Sequence, residues 1–437
     1  MTSGEIDVRA RTERPDRLPL RGLFAWGLGA GFFFLAFLQR VSPSVMVDEL
    51  MRDFAVSAVI LGNLSACYFY IYAAMQLPVG LMIDRIGPRL LLTLFALLCV
   101  AGNLIFAVAD TVTAAYLGRI LIGAGAAASW VGTLALATRW LPARHFALFA
   151  GLGQVFGMAG GVFGQSPLSL AVDGLGWRGA LLATAGLAGL FAVLFWLVVR
   201  DHPPGDGQRQ AHRPPAPVRV PAAPMLRLLG LVARSPQTWL AAAVGLAYTG
   251  PMLAFAGLWG VPYLTVAHGF SRTEAAGLAS LFFVGWAIAA PLIGWFGDRT
   301  GLVRPILVTG GLIGAASLGG LLHLPVSNSV LVGALIFVAG ASGASMILTF
   351  GCAAAANPPE ATTATYGFVN MAVTASGGLL QPLIGWLLDL QWDGQTEAGV
   401  PVYLPGDYAS ALLVLPALSL LGALAASFMR RPPRRAA

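Results

Sequence analysis

The sequence predicts an all-α membrane protein with twelve transmembrane helices in two pseudo-symmetric six-helix halves. The 437 residues are 57% hydrophobic and only 10% charged, whereas soluble proteins average about 45–50% apolar and about 25% charged residues. Apolar segments long enough to cross a bilayer recur along the whole chain, and a motif of the first half returns in the second. This pattern excludes a soluble enzyme, a secreted disulfide scaffold and a disordered regulator.

Each transmembrane segment is predicted to be helical, because a lone strand could not satisfy its backbone hydrogen bonds in lipid. About 20 apolar residues are needed to cross about 30 Å of hydrocarbon. The segments of this kind are 23–47, 57–83, 88–109, 112–138, 146–172, 177–199, 236–262, 274–297, 303–324, 327–352, 362–388 and 408–429. The domain boundaries that follow are a tail at 1–22, halves at 23–200 and 236–430, a solvated linker at 201–235 and a tail at 431–437.

The placement of the basic residues predicts the orientation of these helices. All 26 basic residues are arginines and, apart from Arg40 and Arg119 within spans, only Arg52, Arg178 and Arg272 fall on the side opposite the two tails. Cytoplasmic loops carry an excess of arginine, so both termini are predicted to be cytoplasmic in a bacterial inner membrane. The net charge of +7 therefore reflects membrane topology, and no nucleic-acid partner is expected.

Two motifs repeat at nearly the same offset in the two halves. GLMIDRIGPR at Gly80–Arg89 returns as GWFGDRTGLVR at Gly294–Arg304. Gln165 followed by Pro167 is matched by Gln381 followed by Pro382. Parallel six-helix repeats are typical of alternating-access transporters, in which the substrate site lies at the membrane midplane between the halves.

These residues resemble the major facilitator superfamily over nearly the full length of the chain. Its G-x-x-x-D-R-x-G-x-R signature between the second and third spans is present, and an R-x-x-x-G-x-G motif in the fourth span is similar to another of its motifs. The matching residues are Gly80, Asp84, Arg85, Gly87 and Arg89, and then Arg119, Gly123 and Gly125. The resemblance implies a secondary transporter that moves a small-molecule solute through the lipid bilayer.

The repeated loop motif is interpreted as a gate. An acid at a helix C-terminus is unfavourable unless a helix N-terminus or an arginine meets it, and the resemblance implies that Asp84 and its neighbouring arginines hold the cytoplasmic ends of the halves together during part of the cycle. The gating candidates are Gly80, Asp84, Arg85, Gly87, Arg89, Asp298, Arg299 and Arg304. The alternative is that these arginines only anchor the topology.

A charged residue within the first span is the main candidate for solute binding. Arg40 lies about two-thirds through the span, and no acidic residue lies near the centre of any predicted span. Burying an arginine there costs at least about 2.5–3.5 kcal/mol, so an anionic solute is a candidate counter-ion. The alternative is that Arg40 extends toward the surface or binds helix carbonyls near Pro43. Arg119, nearer a span end, is a candidate for coupling to protons.

Further solute-binding candidates lie on several helices. Tyr68, Tyr72 and Gln76 follow one helix face, and their pattern resembles the organic-anion and sugar-phosphate permeases of the superfamily, some of which use this arginine and tyrosine for anions. Gln39 and Ala126 replace acids of the organic-anion pattern, so proton coupling by that route is in doubt. The remaining solute-binding candidates are Gln39, Trp130, Thr133, Gln154, Gln165, Tyr248, Asn370 and Gln381.

The sequence favours uptake of a small organic anion or zwitterion by a monomer, with protons as a candidate coupling ion. A multidrug or metabolite efflux antiporter remains an alternative, although Met158 replaces the proline of the antiporter motif that Gly153 and Gly157 resemble. A non-transporting sensor on the same fold is the second alternative. No enzyme, cofactor or metal site is expected, since the three cysteines lie in apolar segments and no catalytic or ligand pattern appears.

Overall fold

The computed structural model describes residues 20–201, 228, 230–324, 328–397 and 399–430. Most of the predicted linker and tails therefore lies outside the described residues, although the first helix already begins at Leu20. Eleven helical segments of the described chain are long and apolar enough to cross a bilayer, and a shorter apolar helix covers Leu148–Phe163. The predicted all-α membrane fold is confirmed.

The N-terminal half contains six helices. They are α1 (Leu20–Val41), α2 (Val47–Phe54), α3 (Ala58–Ala107), α4 (Val112–Trp140), α5 (Phe146–Phe163) and α6 (Ser166–Val198). The long helix α3 contains the predicted second and third spans, separated at Gly87, whose φ of 79° is in the left-handed region that suits glycine. Gly176 (φ 71°) breaks α6 in the same way, so the predicted fifth span continues from α5 into the first part of α6.

The C-terminal half is built from shorter, interrupted helices. They are α7 (Pro236–Pro251), α8 (Gly260–His268), α9 (Arg272–Thr300), α10 (Val303–His323), α11 (Ser329–Gly343), α12 (Ile347–Ala355), α13 (Thr362–Gln391), α14 (Pro405–Leu412) and α15 (Val414–Ser427). A π-helical segment, Met252–Trp259, joins α7 to α8. One small hairpin, β1 (Thr396–Glu397) with β2 (Val400–Pro401), follows α13 and is an addition to the predicted helices.

We call the end of the molecule that carries Gly87, Arg139 and Arg200 the arginine-rich end. The opposite end, which carries Glu49, Asp173 and Asp389, is the acidic end. Because α1 begins at the arginine-rich end, successive spans run alternately away from it and toward it. The predicted topology assigns the arginine-rich end to the cytoplasm.

Glycines let the two halves approach closely between α3 and α13. A Cβ atom on Gly62 would lie 2.6 Å from the carbonyl oxygen of Gln381, and one on Gly377 would lie 2.7 Å from the Phe69 ring. Small residues favour such contacts in lipid, where helices associate mainly by van der Waals packing. The two halves are therefore in direct contact at the middle of the molecule and toward the acidic end.

Polar contacts also join the halves at the acidic end. The Arg272 guanidinium of the second half lies 2.5 Å from the Glu49 carboxylate and 3.4 Å from the Asp173 carboxylate, both of the first half. The Ser166 hydroxyl donates to the Thr273 carbonyl at 2.9 Å. These contacts hold the acidic end closed.

At the arginine-rich end, two hydrogen bonds each join residues of the same half. Arg139 donates to the Ile83 carbonyl within the first half. The Asn357 amide donates to the Thr238 hydroxyl at 2.7 Å within the second. These bonds tie together helices of the same half.

Candidate functional site

The centre of the candidate site is the guanidinium of Arg40 in the last turn of α1. The residue is only 7% exposed, and its guanidinium carbon lies 4.2 Å from the ring centre of Phe37, 4.8 Å from that of Tyr72, 5.5 Å from that of Tyr68 and 5.8 Å from that of Phe69. No carboxylate pairs with Arg40 among the described residues, and its Nε has no hydrogen-bond partner there. Arg40 is thus a buried cation held by aromatic faces.

Helical spacing positions the tyrosines of this aromatic box. Tyr68 and Tyr72 are four residues apart on α3 and therefore share a face, and their rings stack with centres 5.8 Å apart. The Tyr68 hydroxyl donates to the Ala36 carbonyl of α1 at 2.9 Å. This bond holds the face of α3 that carries Tyr68 and Tyr72 against α1, so that the two rings lie beside Arg40.

A second buried arginine lies against the same tyrosine. Arg119 of α4 is fully buried, and its guanidinium carbon is 5.3 Å from the Tyr68 ring centre. It donates from Nη1 to the Gln39 carbonyl at 2.8 Å and from Nη2 to the Ser65 carbonyl at 3.2 Å. Arg119 thus connects α1, α3 and α4, which is a structural role that the sequence did not reveal.

Several buried polar atoms beside these arginines have no hydrogen-bond partner among the described residues. Both polar atoms of the Gln39 side chain, the Ser65 hydroxyl, the Gln76 Nε2 and the Arg119 Nε are in this state. A buried polar group without a partner costs about 1–3 kcal/mol, and such groups in native proteins usually meet protein, water or a ligand. The cluster is suited to a polar molecule.

Aromatic contacts extend from Arg40 toward the arginine-rich end. The Phe37 and Phe33 ring centres are 5.1 Å apart, and Phe33 lies 4.8 Å from Trp130 of α4. A Cβ on Gly153 would lie 3.0 Å from the Trp130 ring, so α5 packs on the indole. The predicted candidate Trp130 is therefore connected to the Arg40 box through two phenylalanines.

The structure does not bring all sequence candidates to this site. Tyr248 is buried within the second half, where its hydroxyl donates to the Leu307 carbonyl at 2.6 Å. The Thr133 hydroxyl donates to the Ser129 carbonyl of its own helix, and Gln154 is exposed on α5. Asn370 is half-buried on α13, seven residues from Gly377 and therefore on the same helix face.

The repeated glutamines support the π-helical segment. Gln165 receives a hydrogen bond from Ser44 at 3.3 Å and donates across the halves to the Ala256 carbonyl. Gln381 donates to the Leu253 carbonyl at 2.8 Å. A π-helix disturbs the regular backbone ladder, and these two amides satisfy carbonyls within it.

The predicted gating residues of the first half contact their own half. Arg89 donates from Nε to the Trp196 carbonyl at 2.9 Å and stacks 4.2 Å from the Trp196 ring centre. The Asp201 carboxylate accepts from the Arg89 amide at 3.1 Å and lies where a Cβ on Gly87 would clash. Gly80 is half-buried and Arg85 is exposed, whereas the side chain of Asp84 lies outside what the structure describes.

In the second copy of the loop motif, the charged residues are exposed. Asp298 and Arg304 are exposed, and Arg299 lies 5.5 Å from the ring of Trp295 on its own helix. These positions leave the gating role a prediction.

Sequence reasoning missed the second-half partners at the acidic end. Asp389 of α13 accepts hydrogen bonds from the Ser57 hydroxyl at 2.7 Å and from the amides of Ala58 and Val59, each at 3.2 Å. Asp389 also accepts from the Tyr403 hydroxyl. An acid of one half thus caps a helix of the other, and the only sequence signal was an acid at the end of a span.

Comparison with known proteins places the fold in a family. The family model for the Major Facilitator Superfamily matches residues 28–382 and 252–437. The probable sulfoacetate transporter SauU of Cupriavidus necator is 23% identical over 61% of this chain and 63% of its own length. The nitrate/nitrite transporter NrtP of Picosynechococcus is 24% identical over 42% of this chain and 39% of its own, so the chain spans about three fifths and two fifths of these curated relatives.

A solved structure agrees over almost the whole chain. A bacterial homolog of the human lysosomal transporter Spinster, in an inward-facing and occupied conformation, superposes with a TM-score of 0.77. The match covers 95% of this chain and 98% of that chain at 17% identity, which establishes a shared fold. With the family model covering most of its length, this chain belongs to the major facilitator superfamily.

Proposed function

We propose that the protein is a secondary transporter that moves a small organic anion or zwitterion by alternating access and binds the negative group of its solute at Arg40. The observation that carries this proposal is a buried guanidinium that contacts four aromatic rings and pairs with no carboxylate among the described residues. The family membership supports a transporter and not an enzyme.

The energetics of Arg40 favour an anionic partner. Cation–π contacts contribute about 0.5–2 kcal/mol each, against the cost of at least about 2.5–3.5 kcal/mol for an arginine at the centre of a membrane helix. The Nε of Arg40 has no hydrogen-bond partner among the described residues, and a guanidinium can bind a carboxylate or sulfonate through two parallel hydrogen bonds. Arg119 does not offer such a pair of donors, because its Nη1 and Nη2 already donate to two backbone carbonyls.

The polar atoms near Arg40 suit the remainder of such a solute. The Gln39 amide can both donate and accept, and the Ser65 hydroxyl can do the same. A hydroxyl, carbonyl or amino group of a small metabolite would satisfy these atoms. A purely apolar solute would leave them without partners, at a cost for each.

The location of the box next to the contact between the halves supports alternating access. Phe69, one wall of the box, packs against Gly377 of the second half, and the neighbouring Tyr70 donates to the Gly378 carbonyl at 2.8 Å. Gln76 and Asn370 each lie seven residues, about 10 Å, nearer the arginine-rich end on these contacting faces. A solute at Arg40 would therefore lie between the halves, as rocking transport requires.

The names of the two relatives give sulfoacetate and nitrate as their solutes. Both are negatively charged, which supports an anionic solute for this chain. The ion pairs that join the halves at the acidic end support a conformation open toward the arginine-rich end. We place that end in the cytoplasm of a bacterial inner membrane, and we propose uptake by a monomer. Arg119 remains the candidate for proton coupling, although its carbonyl bonds favour a structural role.

A solute panel in proteoliposomes tests the proposal. Labelled short sulfonates, carboxylates, nitrate, a dipeptide and a lipophilic cation would be offered with and without a proton gradient. We expect entry of one or more anions or zwitterions and exclusion of the cation. Transport of the cation alone would identify an efflux antiporter, and the absence of any flux would favour the sensor alternative.

A further inference from the structure

A pocket lies at the arginine-rich end of the first half, away from Arg40. It has a volume of about 610 Å³ between α1, α4 and the end of α6. Its walls are Leu20, Arg21, Phe24, Trp140, Leu197, Val198 and Arg200. Arg21 and Arg40 are separated by 19 residues of one helix, about 28 Å, so the two sites are distinct.

Two arginines give this pocket its charge. Arg21 and Arg200 are exposed, and neither forms an ion pair with a carboxylate in the part of the chain that the structure describes. The Trp140 indole donates to the Arg200 carbonyl at 3.2 Å, which fixes the backbone that carries this side chain. Asp201, next in sequence, is engaged instead by the Arg89 amide.

The outer wall of the pocket is apolar and faces away from the protein. Leu20 is 83% exposed, Leu197 62% and Phe24 57%, and the neighbouring Trp196 is also exposed. Exposed aliphatic and aromatic residues beside arginines at a helix end are typical of the boundary between headgroups and acyl chains. The pocket therefore combines an anion site with a surface for hydrocarbon.

We propose that this pocket binds an anionic phospholipid, with the phosphate between Arg21 and Arg200 and the acyl chains along Phe24 and Leu197. Basic pockets between transmembrane helices on the cytoplasmic side bind acidic lipid headgroups in other membrane proteins. Residues 202–227 follow the pocket directly in sequence, but they carry four arginines and one aspartate. Like charge disfavours that segment as the occupant, whereas a lipid phosphate is complementary.

Native mass spectrometry of the full chain in detergent tests this site. Phosphatidylglycerol and phosphatidylcholine with identical acyl chains would be titrated into the wild type, the R21Q/R200Q double variant and the control R234Q. Arg234 is another exposed arginine of the same end that lies outside the pocket. An arginine near anionic lipid contributes about 1 kcal/mol, which is about fivefold in affinity.

We expect the double variant to bind phosphatidylglycerol about 30-fold more weakly and R234Q to match the wild type. Phosphatidylcholine should bind weakly to all three proteins, and glycerol phosphate, which lacks acyl chains, should not compete at the same concentration. Equal binding of phosphatidylglycerol by the wild type and the double variant would overturn the proposal. Competition by glycerol phosphate would also overturn it, since the site would then select a free anion.

Discussion

At the scale of single residues, two buried guanidiniums lie against the ring of Tyr68 and differ in what holds them. Arg119 donates to two backbone carbonyls and is fully buried. Arg40 lies among aromatic rings. The same residue type therefore has two carbonyl partners in one position and, among the described residues, no carboxylate partner in the other.

Replacing each arginine by methionine separates these roles. Arg119→Met removes two charge-assisted hydrogen bonds and should destabilise the protein by about 1–3 kcal/mol. Arg40→Met removes a buried charge that has no carboxylate partner and should leave stability equal or higher, while uptake falls about 10–100-fold. Thermal unfolding in detergent and uptake by proteoliposomes measure the two effects.

Each variant is the control for the other, since both replace one buried guanidinium near Tyr68. Equal destabilisation by the two substitutions would show that Arg40 is also structural. Undiminished uptake by the Arg40→Met variant would remove this residue from the solute site.

The sequence predicted the position of Arg40 and the lack of an acid near it, but not its aromatic neighbours. Phe37 shares its helix, yet Phe69 contributes only because α3 turns that face toward α1. The carbonyl partners of Arg119 could not be predicted either, because every helix residue has a carbonyl and only packing selects among them. A sequence shows which residues are charged, whereas the groups that pair with these charges are decided by tertiary contacts.

At the scale of helices, the ends and breaks of the spans form the connections between the halves. The N-terminus of α3 is capped by Asp389 of α13, and the interrupted helix of Met252–Trp259 is bound by glutamines from both halves. The motif repeat predicted two related halves but not these contacts, since Gln165 and Gln381 bind different carbonyls of one segment. Which carbonyl each glutamine meets depends on the rotation of its helix about the helix axis.

The cap made by Asp389 can be tested by hydrogen exchange. Asp389→Ala removes the acceptor of the Val59 amide and one of the two acceptors of the Ala58 amide, the other being the Tyr403 hydroxyl. Losing a helix cap costs about 0.5–2 kcal/mol. Exchange of these amides should accelerate about 2–30-fold, as measured by mass spectrometry of the peptide that contains them.

Asp393→Ala is the matched control, because among the described residues that carboxylate bonds to Gln395 alone. It should leave exchange at the start of α3 unchanged. Identical exchange in the wild type and the Asp389→Ala variant would show that the cap contributes nothing to closure of the acidic end.

The short helix α2 is anchored by an acid whose titration should affect stability. Burial opposes ionisation of Asp53, but hydrogen bonds from the Trp177 indole at 2.9 Å and the Arg178 guanidinium at 2.6 Å outweigh it and lower the pKa of the Asp53 carboxyl. A carboxyl with a lowered folded pKa stabilises above its unfolded pKa of about 3.9, and this contribution is lost as the pH falls through the folded value.

Asp53→Asn should therefore lower the melting temperature at pH 7 and have a smaller effect at a pH below the unfolded value of about 3.9, where the stabilisation by the wild-type carboxylate declines. Thermal unfolding across this pH range measures the difference. An equal decrease in melting temperature at both pH values would contradict the assignment.

At the scale of the whole molecule, the contacts between the halves describe one state of a transport cycle. The acidic end is held by Arg272 with Glu49 and Asp173 and by glycines that allow close packing. The apolar segments and the motif repeat were enough to predict twelve spans and two halves, because lipid constrains the length and the backbone hydrogen bonding of each span. The conformational state could not be predicted, since it depends on side chains that meet only after folding.

A reversible cross-link across the acidic end tests alternating access. The hydroxyls of Ser169 and Thr273 lie 3.2 Å apart on opposite halves, a separation compatible with a disulfide between cysteines at these positions. Oxidation of the S169C/T273C variant should reduce uptake to the level of protein-free liposomes, and dithiothreitol should restore it. The single cysteine variants are controls, and full transport by the cross-linked protein would show that the acidic end need not open.

The binding of the solute's negative group by Arg40 is tested most directly with two solutes that differ only in charge. These are a transported carboxylate or sulfonate and its neutral amide. Inhibition of uptake by each would be measured in the wild type, Arg40→Lys and Arg40→Gln. We predict that the wild type prefers the anion about 100-fold, that lysine preserves part of this preference and that glutamine abolishes it, since a bidentate charged contact contributes about 3 kcal/mol. An unchanged preference in the Arg40→Gln variant would contradict the central claim that Arg40 binds the negative group of the solute.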